Sequence, residues 1–144
     1  MQGALETALG RLGEGAVGVT GAGRTDAGVH AAGQVCHVDT PENLSIETIE
    51  KGLRALLPDD IQVWRIRRVH NHFHARFWAK EREYVYRIVK QPDVFLSRYA
   101  WHPATRFDPD RAAELTDVFL GRYNFKPFST KMDKGDDPVC EIKE

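Results

Sequence analysis

Residues 21–31 of the 144-residue chain, GAGRTDAGVHA, place one aspartate and one histidine among glycine and alanine residues. Residues 16–20 predict a short strand before this stretch, and residues 34–39 predict a second strand after it. Because the neighbours of Asp26 are small, a bulky ligand could approach its carboxylate closely. The same pattern is typical of a surface turn, in which Asp26 bonds its own backbone and the glycines supply positive φ angles.

Two phosphate-binding motifs are excluded for this stretch. A dinucleotide-binding fingerprint that starts at Gly21 requires a glycine where Asp26 stands. A P-loop from Gly23 to Gly28 requires Lys and then Ser or Thr, but residues 29–30 are Val and His. A carboxylate would also repel a phosphate, so we do not predict an anion site here.

The rest of the chain alternates helical and strand-like patterns. Apolar residues at helical spacing predict helices at 2–12, 46–57 and 109–120. Enrichment in β-branched and aromatic residues predicts strands at 61–69 and 83–90, and alternation suggests another at 139–142. This order favours an α+β fold of one or two small domains, with a mixed sheet that has helices on one face.

The composition indicates a globular protein without a membrane segment. Hydrophobic residues make up 42% and aromatic residues 10% of the chain, and the formal net charge is -1. Since no apolar run approaches the ~18 residues of a membrane span, and the N-terminus lacks the pattern of a secretory signal, we predict a cytoplasmic protein with no membrane partner.

Residues 64–90 form a basic band that the near-neutral total charge hides. They contain eight Lys or Arg against two Glu, interleaved with Trp64, Phe73, Phe77, Trp78 and two tyrosines. Cationic and aromatic side chains together suit a surface that binds phosphates and stacks bases. A solvated strand edge has a similar composition, so the band alone leaves both interpretations open.

Alternating histidines raise the question of a metal site. On a strand, His70, His72 and His74 would face the same way and could hold a metal ion. No carboxylate or cysteine lies close by in the sequence to complete the ligand shell. We therefore predict no metal.

The nine residues 23–31, GRTDAGVHA, resemble the catalytic motif of TruA-type tRNA pseudouridine synthases. Further segments resemble that family in the same order: LPDDI at 57–61, FHARF at 73–77, YVY at 84–86, and GRYNF at 121–125 followed by Phe128. The resemblance implies a ferredoxin-like mixed or antiparallel sheet with helices on one face, of the pseudouridine synthase type, and an incomplete second domain.

The resemblance also implies a division of the chain. Residues 1–102 would form an N-terminal catalytic domain with the nucleophile loop 21–31 and the basic band 64–90, and residues 103–144 would begin a truncated C-terminal domain. Members of the family have a further strand before the first helix and a complete second domain, which adds residues to the cleft. The 144 residues alone are therefore expected to show little or no turnover. Aspartates and lysines at 131–137 predict a loop.

The family reaction isomerises uridine to pseudouridine, here expected at tRNA positions 38 to 40 in the anticodon stem-loop, without a cofactor or a metal. By resemblance Asp26 is the nucleophile, Tyr84 lies against the target base, and Arg24 helps hold the base flipped out. Pairing with Arg24 would keep Asp26 ionised. The predicted RNA-binding residues are His74, Arg76, Lys80 and Arg82. The predicted partners are tRNA and a second copy of the chain, and the alternative is an inactive tRNA-binding fragment of the same fold.

Overall fold

The structure, a computed structural model, describes residues 1–129 and 137–143. The chain forms two compact units, residues 1–85 and 86–144. The domain boundary predicted after residue 102 lies within the second unit and stays a prediction. The loop predicted at 131–137 lies outside the described residues except for Asp137. No helix in the described part of the chain is both long enough and apolar enough to cross a membrane.

The first unit combines two helices with a β-hairpin. Helix α1 spans Gln2–Gly13, strand β1 spans Val19–Gly21, strand β2 spans Cys36–Val38, and helix α2 spans Ile46–Leu56. The two strands are antiparallel, with Val19 opposite Val38 and Gly21 opposite Cys36. Helix α1 packs against both α2 and β1. Both helices and both strands lie within a few residues of the positions predicted from the sequence.

Local signals explain where the two helices begin and end. The Ser45 side chain accepts a hydrogen bond from the backbone N–H of Thr48 at 3.1 Å, which satisfies one of the donors at the start of α2. Pro58 follows α2 by two residues and cannot continue it. Helix α1 ends at Gly13, and the residue that caps it, Glu14, has a left-handed φ of 55° and donates its N–H to the carbonyl of Gly10.

The hydrophobic core of the first unit lies between α1, α2 and β1. Its buried residues are Ala8, Leu9, Val19, Ile49 and Leu53. The two helices approach closely at Gly52, where a Cβ atom would overlap the side chain of Leu12. Because Val19 belongs to this core, the hairpin is fixed on the helices, and the segment that connects its two strands is held at both ends.

Glu6 connects the first helix to the first strand. Its carboxylate accepts a hydrogen bond from Gln2 Nε2 at 2.8 Å and another from the backbone N–H of Val19 at 3.1 Å. Both bonds favour the ionised form, and they lower the pKa of Glu6, with the bond from Gln2 as the larger cause. The first amide of β1 is thus held by a side chain of α1.

The strands predicted at 61–69 and 83–90 are wrong. Within the described residues these segments pair with no strand, and only Ile88 forms an isolated parallel bridge, with Trp101. Their β-branched and aromatic residues favour an extended backbone, but a strand also requires a neighbouring chain that bonds its amides. The described residues therefore contain two separate two-stranded antiparallel sheets in place of the single mixed sheet expected.

The second unit contains one α-helix and the other small sheet. Helix α3 spans Pro109–Thr116, and the Asp108 side chain caps it by accepting bonds from the next two free amides at 3.1 Å each. The helix predicted to continue to residue 120 changes at Asp117–Phe119 to a 3-10 turn. Strand β3, Gly121–Asn124, pairs antiparallel with β4, Val139–Ile142, which confirms the strand predicted there. The architecture is therefore mixed α and β.

Candidate active-site loop

The segment between β1 and β2 is fixed to the hairpin on both sides. The backbone N–H of Ala22 donates to the carbonyl of Val35 at 2.8 Å, which extends the pairing one step beyond the strands. The side-chain amide of Gln34 donates to the carbonyl of Gly23 at 2.8 Å. Residues 24–33 therefore lie beyond a closed base, and Asp26 is the third of these ten residues.

Asp26 begins a tight turn. Its carbonyl accepts a hydrogen bond from the N–H of Val29 at 3.2 Å, and Gly28 within the turn has a φ of +85°. Residues with a Cβ atom rarely adopt that conformation, which explains the glycine. The surface-turn interpretation is thus confirmed for the backbone. The expected bond from the Asp26 side chain to its own backbone is absent from the described part of the chain.

Three predicted site residues present their side chains to solvent in the first unit. Arg24, Asp26 and Tyr84 are exposed, and Tyr84 is 70% exposed. Within residues 1–129 and 137–143, none of these side chains makes a hydrogen bond or an ion pair. Arg24 and Asp26 therefore form no ion pair in the described part of the chain, and Tyr84 lies outside the core. All three side chains are available to a ligand.

Arg82 contacts the beginning of the loop directly. Its Nη2 and Nε donate to the carbonyl of Ala22 at 2.6 and 3.2 Å, and Nη2 also lies 3.4 Å from the carbonyl of Arg76. A Cβ atom on Gly23 would lie 3.4 Å from Nε of the same guanidinium. The sequence suggested only an RNA contact for Arg82. Nothing in the local sequence indicates this contact, because Arg82 and Ala22 are 60 residues apart.

Residues 73–78 are fixed to strand β2 through His37. The Nδ1 atom of His37 accepts the backbone N–H of Ala75 at 3.1 Å. The ring of His74 lies 4.8 Å from that of His37 and stacks on Phe77 at 4.2 Å, with the Arg76 guanidinium 6.0 Å from the Phe77 ring centre. Two predicted RNA-binding residues, His74 and Arg76, thus lie in one ordered segment. Sequence reasoning did not single out His37.

The part of the basic band in the first unit exposes both cationic and aromatic side chains. Lys80 and Arg76 are exposed, and Trp64, Phe77 and Trp78 are 75%, 74% and 56% exposed. Exposed rings of this size among cations can stack bases while the cations bind phosphates. The solvated strand edge, the other interpretation of this composition, requires a strand, and none forms within the described residues of this segment.

The alternating histidines do not converge on one point. The rings of His70 and His72 lie 5.1 Å apart, whereas His74 packs on His37 and Phe77. The described residues contain no group of three or more metal-ligating side chains in suitable proximity. The alternation predicted a shared face only for a strand, and this segment is not one.

Comparison with known proteins places the chain in a family. A family model described as tRNA pseudouridine synthase matches residues 1–78, more than half of the chain, including the whole loop 21–31 and the segment 73–78. The chain belongs to the tRNA pseudouridine synthase family, which confirms the resemblance found in the sequence.

Individual relatives extend the similarity beyond residue 78. The chain is 42% identical over 145 residues to tRNA pseudouridine synthase A of Geobacillus sp. (strain WCH70), covering 99% of this chain and 58% of that protein. It is 40% identical over 146 residues to the Anoxybacillus flavithermus (strain DSM 21510 / WK1) protein of the same name, covering 100% and 59%. It is 41% identical over 128 residues to the Bacillus subtilis (strain 168) protein of the same name, covering 88% of this chain and 52% of that protein. The chain thus spans between half and three fifths of the length of these relatives.

Proposed function

We propose that the chain carries the nucleophile of a tRNA pseudouridine synthase, and that this nucleophile is Asp26. The observation that supports the proposal most is the placement of an exposed carboxylate on a turn of small residues, inside the segment that matches the family. The base of the loop is held by the hairpin and by Arg82, so the carboxylate is presented from a defined backbone.

The proposed reaction is an isomerisation that needs one accessible carboxylate. The bond between N1 of uracil and C1′ of the ribose breaks, the base turns, and C5 bonds to C1′. The proton on C5 is released and N1 gains one, so no electrons enter or leave. Asp26 either attacks C1′ or assists the departure of the base, and both routes require its ionised form.

The uridine must leave its stack before it can reach Asp26. Extrusion of a base costs a few kcal/mol, and contacts with the flipped base have to offset this cost. In the proposal Tyr84 lies against the base, since its exposed ring offers a stacking face. Arg24, two residues before Asp26, binds the displaced backbone through its guanidinium. The small side chains of the loop leave the space for the nucleoside.

The proposed partner is tRNA, held by the residues that follow the loop in the first unit. His74, Arg76 and Lys80 belong to or adjoin the segment that His37 fixes to β2, next to the exposed rings of Phe77 and Trp78. The target uridines are those at tRNA positions 38 to 40. The proposal further includes a homodimer, a cytoplasmic location, and a reaction without a cofactor.

The experiment compares two transcripts of one unmodified tRNA. One carries uridines at positions 38 to 40 of the anticodon stem-loop, and in the other cytidines replace them. Because the 144 residues alone are expected to show little turnover, the transcripts are incubated with the protein at high concentration, and pseudouridine is then mapped by chemical labelling and primer extension. The proposal predicts pseudouridine at these positions in the first transcript only. Pseudouridine elsewhere would contradict the assignment of the anticodon arm.

A second candidate function is tRNA binding without catalysis. The observation that favours it is that Arg76 and Lys80 are exposed beside the rings of Phe77 and Trp78, whereas the Asp26 side chain makes no hydrogen bond or ion pair in the described part of the chain. Binding is measured by titration with the same transcripts at several salt concentrations. Tight, salt-dependent binding with no pseudouridine would favour this second candidate, whereas turnover would exclude it.

A further inference from the structure

We infer that Arg82 is a positioning residue that holds the base of the loop 21–31, an inference that rests on the proposed function of that loop. The guanidinium donates twice to one carbonyl, that of Ala22, at 2.6 and 3.2 Å. Charged donors form the stronger hydrogen bonds of proteins, and the fork of an arginine fixes direction as well as distance. Arg82 therefore restrains the backbone four residues before Asp26.

Ala22 is the point at which such a restraint acts on the whole loop. It follows β1 directly, and its N–H already donates to the carbonyl of Val35. With its carbonyl bonded to Arg82, both polar groups of this residue have partners. Gly23 follows, and a Cβ atom there would contact the guanidinium, so the loop leaves the hairpin directly past Arg82.

Most donors of the Arg82 guanidinium already have a partner in the protein, which limits its use as an RNA contact. Of the five N–H groups of a guanidinium, Nε and one of Nη2 point to Ala22, and the second of Nη2 is directed to the carbonyl of Arg76 at 3.4 Å. A residue that binds a phosphate primarily would have its fork open to solvent. The geometry instead assigns this fork to the protein backbone.

The test measures turnover and binding of tRNA with Arg82→Ala, Arg82→Lys and Lys80→Ala. A loop displaced by about 1 Å loses on the order of 10- to 100-fold in rate, so we expect kcat of Arg82→Ala to fall by that factor. Its KM, and the slope of log affinity against log salt, should stay close to those of the wild type. Arg82→Lys should regain part of kcat, because an ammonium can still donate to Ala22. Lys80→Ala removes the same charge two residues away and should weaken binding and flatten the slope.

Amide exchange in the absence of RNA separates this inference from the proposed function. The reporter is the N–H of Val29, which closes the turn at Asp26. In Arg82→Ala its exchange should accelerate at least about fivefold, while that of the core residue Leu53 stays unchanged. An unchanged Val29 amide, or a fall in affinity and salt slope with kcat intact, would overturn the positioning role. If the wild type makes no pseudouridine, the proposed function fails, and the exchange rates still decide whether Arg82 holds the loop.

Discussion

Replacing His37 by alanine should detach residues 73–78 from strand β2. In the structure the imidazole Nδ1 accepts the N–H of Ala75 at 3.1 Å, and the ring contacts Phe73 edge-on at 6.1 Å between centroids. Ala75 is 3% exposed, so water cannot readily replace the lost acceptor. The substitution leaves a buried donor without a partner.

The size of the expected effect follows from the Ala75 amide, which loses its hydrogen-bond acceptor. A buried donor that loses its partner costs about 1–3 kcal/mol, and the lost ring contacts add roughly 0.5–1.5 kcal/mol. Since every 1.4 kcal/mol is a factor of ten, the amide term alone corresponds to about 5- to 150-fold faster exchange of the Ala75 N–H. The segment that carries His74 and Arg76 then loses its fixed position relative to the hairpin.

The assay is residue-resolved hydrogen exchange of the Ala75 amide, accompanied by urea unfolding. His37→Asn is the matched control, because its side-chain oxygen can occupy nearly the place of Nδ1 and accept the same bond. We expect fast exchange in His37→Ala and near wild-type exchange in His37→Asn. Equal rates for Ala75 in the alanine variant and the wild type would refute the reasoning.

Two further predictions concern Glu6 and Gly28. The hydrogen bonds from Gln2 and from the first amide of β1 lower the pKa of Glu6 from 4.5. The ionised carboxylate therefore stabilises the fold above pH 4.5, and this contribution is lost as the pH falls through the lowered pKa of the folded state. Urea unfolding between pH 7 and pH 3 should show a smaller acid loss in Glu6→Gln, and identical pH profiles would contradict the assignment. Gly28 has a φ of +85°, so Gly28→Ala should reduce the free energy of unfolding by about 1–2 kcal/mol. Gly33→Ala is the control, because Gly33 has no positive φ and an added Cβ there would have nothing within 4 Å. It should reduce the free energy of unfolding by less than half as much. Equal losses in these two variants would exclude backbone strain at Gly28.

The elements that the sequence predicted well are those with local signals. Ser45 and Asp108 cap helices within their own turn, and Pro58 prevents continuation of α2. The turn at Asp26 likewise depends on residues three positions apart and on one glycine. Short-range chemistry of this kind is written in consecutive residues, so it can be recognised without coordinates.

The features that the sequence did not predict depend on distant partners. The strands expected at 61–69 and 83–90 have suitable residues, but pairing is decided by what lies beside them. The bond from Arg82 to Ala22 joins residues 60 apart, and that from Ala75 to His37 joins residues 38 apart. No periodicity or motif encodes such contacts. The sequence therefore predicted an RNA contact for Arg82 but not its bond to Ala22, and it predicted no contact for His37.

The most direct test of the central claim is release of tritium from tRNA labelled at C5 of uridine. Formation of the bond from C5 to the ribose frees that label, so the assay reports the isomerisation itself. The proposal predicts release by the wild type and by Asp39→Asn, a matched loss of a carboxylate outside the loop, and a fall on the order of 10³-fold or more in Asp26→Asn with tRNA binding retained. Release by Asp26→Asn at the wild-type rate would show that Asp26 is not the nucleophile.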